Sequence, residues 1–101
     1  MDKAQQAYQY RITLFKKHLG EMKQSFAYEK RDRLVLLEQQ QREREEQSIL
    51  IRADSLRWAF MLTDQAVKLV SIISSYNKGR RLLVERQKQE SAQLEAQLNS
   101  E

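Results

Sequence analysis

The chain has 101 residues, 18 Lys and Arg against 14 Asp and Glu, a net charge of +4, no cysteine and no proline. That length allows one small domain, the lack of cysteine excludes disulfides and thiolate metal sites, and glycine only at Gly20 and Gly79 removes most helix breakers. With 32% charged residues and a mean hydropathy of -0.78, the apolar content lies in stripes too thin for a large globular core.

The expected fold is therefore all-α: two long helices, about 4-47 and 48-77 and continuous in one version, plus a shorter C-terminal helix at about 80-99. Coiled-coil-like packing or an elongated rod is expected, as one unit over 1-101. The first helix opens at Asp2, whose carboxylate is placed to cap free backbone amides. It carries an apolar ladder, Tyr8, Ile12, Phe15, Leu19, Met22 and Phe26, with alternating steps of four and three, the spacing of a coiled-coil seam. Lys16, Lys17 and His18 before Gly20 resemble a helix C-terminus. Met22 and Phe26 hold the ladder's phase, which favours one helix passing through Gly20 over a hinge there.

Past Phe26 the heptad positions are Glu29 and Arg33, and Leu34 with Leu37 restart the pattern one residue late, a stutter-like slip. Residues 38-48 contain no apolar side chain. Glu38 with Arg42, and Arg42 with Glu46, stand four apart and support a solvated helix that touches no core. The run carries no turn chemistry, so a continuous rod is favoured over a hairpin turn within it.

A second ladder follows at the same step: Ile49, Ala53, Leu56, Phe60, Thr63, Val67 and Val70. Trp58, Met61, Leu69, Ile72, Ile73 and Tyr76 widen it beyond a two-helix seam, which predicts contact with more than one neighbour. Asn77, Lys78 and Gly79 read as the end of this helix, with Gly79 as its left-handed cap. The segment 80-101 is apolar at Leu82, Leu83 and Val84, mostly polar afterwards, and expected to fray.

No catalytic constellation is expected. His18 is the sole histidine, so neither a zinc site nor a Cys-His pair is anticipated. Glu43, Glu45 and Glu46 sit in a solvated charged run, and no glycine-rich phosphate loop exists. No cofactor, metal or small-molecule substrate is expected. Arg52, Asp54, Arg57, Asp64 and Lys68 interrupt the most apolar stretch, which argues against a membrane span. No secretory signal is evident, so a cytoplasmic location is the default, with an organelle matrix compatible.

The expected function is binding: a helical adaptor, scaffold or chaperone-like subunit of a larger complex, pairing with partner helices or with itself. The interface candidates are Tyr8, Ile12, Phe15, Leu19, Met22, Phe26, Ile49, Leu56, Trp58, Phe60, Val67, Val70 and Ile73. The alternative is a peripheral ribonucleoprotein subunit, for example ribosome-associated, whose Lys16, Lys17, Lys30, Arg31, Arg33, Lys78, Arg80 and Arg81 contact RNA phosphates. Residues 1-37 hold eight Lys or Arg against four acids, so the basic end is N-terminal.

Overall fold

A computed structural model gives the chain as two α-helices, α1 (Lys3–Ile51) and α2 (Ser55–Ser100), with no strand among the described residues. The structure describes residues 2-51 and 54-100, and the side chains of all of these but 49-51. Among them, no helix is long and apolar enough to cross a membrane.

The start of α1 is set by Asp2. Its Oδ1 accepts the Gln5 amide at 2.7 Å, and Gln5 Oε1 accepts the Asp2 amide at 3.3 Å. This reciprocal capping box satisfies amides that an α-helix otherwise leaves open. Gly20 lies inside the helix, as the unbroken phase of its ladder requires, and neither glycine takes a positive φ.

The boundary between the helices differs from the one expected. Ile49, Leu50 and Ile51 close α1 instead of opening the next helix. The next helix begins at Asp54, whose Oδ1 accepts the Leu56 and Arg57 amides at 3.1 and 3.2 Å while its carbonyl accepts the Trp58 amide at 3.2 Å. An aspartate bonded to the N2 and N3 amides is a helix N-cap.

The separate C-terminal helix is also corrected: α2 runs unbroken through Asn77, Lys78 and Gly79 to Ser100. A left-handed cap requires positive φ, which Gly79 does not have. Arg80, Leu83 and Gln87 beyond it stay half-buried, so continued packing outweighs a glycine penalty of about 1 kcal/mol.

The chain forms two compact units, one of residues 27-77 and one of residues 1-26 with 78-101. In the first, α1 and α2 pair as an antiparallel hairpin. The side chains turned from solvent include Glu29, Asp32, Leu36, Gln40 and Glu43 on α1, and Trp58, Met61, Gln65, Leu69, Ile72 and Tyr76 on α2. Their steps of three, four and four repeat every 11 residues, as in Glu29 to Gln40, Met61 to Ile72 and Gln65 to Tyr76. A period of 11 is 3.67 residues per turn, close to the 3.6 of a straight helix, so this pairing needs no left-handed supercoil.

The polar run 38-48 is helical, but it does touch the seam. Gln40 and Gln65, each 5% exposed, donate their side-chain amides to each other's backbone carbonyls at 2.8 and 3.0 Å. Arg44 adds a 2.6 Å bond to Gln65 Oε1, and Tyr76 donates its hydroxyl to Asp32. That proton donation, aided by burial, raises the Tyr76 pKa above its usual value. Met61 is the one buried apolar side chain among the described residues, so polar bonds fix the register where apolar packing is thin.

In the second unit the antiparallel partners are the ends of the chain. Leu14, His18, Glu21 and Ser25 of α1 and Leu83, Gln87, Glu90, Leu94 and Leu98 of α2 are half-buried. The Gln87 amide donates to the His18 carbonyl at 3.0 Å. The C-terminal segment is helical as far as Ser100.

Candidate protein-binding face

The ladder that dominates the sequence of α1 is not the stripe that pairs the helices. In the unit built from the chain ends, Tyr8, Phe15, Leu19 and Phe26 are exposed, while Ile12 and Met22 are half-buried. Phe15 is 62% exposed beside half-buried Leu14. One residue on an α-helix turns the side chain by about 100°, which separates a paired stripe from an open one. A groove of about 280 Å³ runs along Phe15, lined by Arg11, Leu14, His18, Leu94 and Glu95.

Charges frame this face. Arg11 binds Glu95 through two bonds, Nε to Oε1 at 2.7 Å and an Nη2 nitrogen to Oε2 at 2.9 Å. The bidentate geometry raises the Arg11 pKa and lowers that of Glu95. Lys17 Nζ donates to Glu90 at 2.8 Å, which holds that carboxyl below its ordinary range, and Arg86 pairs with Glu21. The Arg80 guanidinium stacks 4.3 Å above the Phe26 ring, a cation-π contact that covers one face of an otherwise open aromatic.

The hairpin of residues 27-77 shows the same division. Leu56, Phe60, Val67 and Val70 are all at least 60% exposed, with Thr63 exposed between them. Met61, Gln65, Leu69, Ile72 and Tyr76 occupy the opposite side of α2 and meet α1. Here α2 is therefore apolar on two faces, of which α1 covers one. Trp58 and Ile73 are half-buried. The side chain of Ile49, and all of Ala53, lie outside the described residues. Leu34 and Leu37, where the sequence ladder restarts, are exposed too.

Four of the eight candidate phosphate-binding cations meet side chains of their own unit. Lys17 is engaged by Glu90, Arg33 lies 3.9 Å from Glu29, Arg31 is 3.8 Å from Asp32 and stacks over Tyr28, and Arg80 covers Phe26. Lys16, Lys30, Lys78 and Arg81 are exposed. They are divided between the two units, with Lys30 in the hairpin and the other three in the unit of the chain ends.

Sequence reasoning overlooked Glu29, Gln40, Gln65 and Glu90, four of the polar members of the paired stripes. An apolar ladder search passes over such residues. Their signal is a recurrence every 11 positions, as in His18, Glu29 and Gln40. No protein-family model, no curated protein and no solved structure matches the chain.

Proposed function

We propose that the protein is a non-catalytic helical adaptor or scaffold, binding other proteins of a larger complex through its heptad-spaced apolar faces. The observation that carries this reading is the exposure of Tyr8, Phe15, Leu19 and Phe26 beside a seam already filled by other residues. Four large apolar side chains at coiled-coil spacing are a ready surface for a partner helix. Arg11, Glu95, Lys17 and Glu90 flank that surface and favour one register and one partner charge pattern.

The hairpin's second apolar face, Leu56, Phe60, Val67 and Val70, extends the same argument. A helix apolar on two sides suits the interior of an assembly better than the surface of a monomer.

Pull-down from the source cell, followed by binding measurements on the captured partner, tests the reading. Phe15→Glu abolishes partner binding while helix content is unchanged, and binding varies little with salt. Wild-type binding by Phe15→Glu overturns it. Binding to generic RNA that falls steeply with salt and is lost when Lys16, Lys30, Lys78 and Arg81 become glutamine also overturns it, in favour of a ribonucleoprotein role.

A further inference from the structure

His18, Glu21 and Glu90 come together although the sequence separates Glu90 from His18 by 72 positions. One ligand atom from each lies within 4.8 Å of the other two, and all three residues are half-buried. His18 and Glu21 stand three apart, one turn of α1, so they share a face. Glu90 is brought opposite by α2, where the Gln87 bond to the His18 carbonyl fixes the register.

The charged neighbours leave a specific set of lone pairs open. Glu21 uses Oε2 on Arg86, and Glu90 uses Oε2 on Lys17. Arg86 Nε forms a 3.4 Å ion pair with Glu90 Oε1 that is not a hydrogen bond, and His18 Nε2 is 3.8 Å from Glu90 Oε2. His18 Nε2, Glu21 Oε1 and Glu90 Oε1 are buried and accept or donate no hydrogen bond among the described residues. Orphaned buried polar atoms are uncommon and call for a partner. Three on neighbouring side chains call for a shared one.

We propose that His18, Glu21 and Glu90 are the protein ligands of a Zn²⁺ site that ties α1 to α2. One imidazole and two carboxylates suit zinc among divalent ions, and three protein ligands leave a fourth position for water. With the three atoms within 4.8 Å of one another, a point equidistant from them is at most about 2.8 Å from each, so shifts of under about 1 Å bring them to the 2.0-2.2 Å of zinc bonds. Lys17 and Arg86 keep the outer carboxylate oxygens and so orient the inner ones, as outer partners do at metal sites.

The test is unusually clean because the chain has one histidine and no cysteine. Zn²⁺ alone is titrated calorimetrically into the full, tag-free chain, and thermal melts are recorded with and without it. The site predicts one zinc per chain and a rise in melting temperature. It also predicts affinity losses well beyond about tenfold in His18→Ala, Glu21→Gln and Glu90→Gln, with retention in Lys16→Gln, whose side chain is exposed. Cobalt substitution gives visible bands that shift in Glu90→Gln. Absence of stoichiometric zinc binding, or equal binding by folded His18→Ala, overturns the site and leaves the three residues as an ion-pair cluster.

Discussion

Gln40 and Gln65 hold each other's main chain: each side-chain amide donates to the other residue's backbone carbonyl, at 2.8 and 3.0 Å, with both residues buried. The exchange is possible at one register only, so two polar residues fix the alignment of a hairpin whose apolar seam is thin. Removing one partner strands the other in a place water does not reach. Gln65→Ala, which also frees Arg44, should cost about 1-3 kcal/mol, read as a lower urea midpoint at unchanged slope. The double variant Gln40→Leu/Gln65→Leu should cost less than the two single changes together, with a coupling above about 0.5 kcal/mol.

Adjacent residues on α1 should respond in opposite ways. Phe15 faces outward and Leu14 inward, so Phe15→Glu should leave stability within about 0.5 kcal/mol. Leu14→Glu places an uncompensated charge against α2 and should cost several times more. Thermal melts of the two single variants compare them directly.

Gly79 lies in mid-helix with no positive φ, and a Cβ there would meet nothing within 4 Å. Gly79→Ala should therefore stabilise the protein by about 0.5-1 kcal/mol. A glycine serving as a helix cap would respond with destabilisation, so chemical denaturation of this variant distinguishes a continuous α2 from a capped one.

The two units should fail at opposite ends of the pH scale. Lys17 holds the Glu90 carboxyl, and Arg11 the Glu95 carboxyl, below the usual 4.5. A carboxyl lowered on folding contributes stability above its unfolded value and loses it as pH falls through the folded value. The unit of residues 1-26 and 78-101 should weaken below about pH 4.5. Tyr76 is raised above 10.0 by its bond to Asp32, so its contribution is complete below pH 10.0 and is lost as pH rises through the raised value. The hairpin of residues 27-77 should weaken in alkali, and Tyr76→Phe should flatten that limb. Hydrogen exchange resolved by residue separates the two units.

Much of the helical structure was legible: the composition required helices, Asp2 announced its cap, and the phase of the Tyr8 to Phe26 ladder carried α1 through Gly20. The turn was not. Asp54 reads in the sequence as one more charge interrupting an apolar run, and only its bonds to the Leu56 and Arg57 amides reveal a cap. The pairing stripe was hidden for a related reason. Its period is 11 and its members include Gln40, Gln65, Glu29 and Glu90, which hold the helices by hydrogen bonds and ion pairs that hydropathy does not register. The conspicuous apolar ladder is the one the fold leaves open, while the cluster around His18 depends on Glu90, which no local spacing links to it.

The Tyr8 to Phe26 ladder lies outward from the seam that its neighbours on α1 form with residues 78-100 of α2. Thiol labelling tests it most directly, because the chain has no cysteine of its own. Leu14→Cys, Phe15→Cys, Met61→Cys and Val67→Cys are made singly and labelled under native conditions in dilute solution. Fast labelling at 15 and 67 with slow labelling at 14 and 61 is the expected result. Protection at 15 and 67 with fast reaction at 14 and 61 would place the apolar ladders inside the fold and contradict the account.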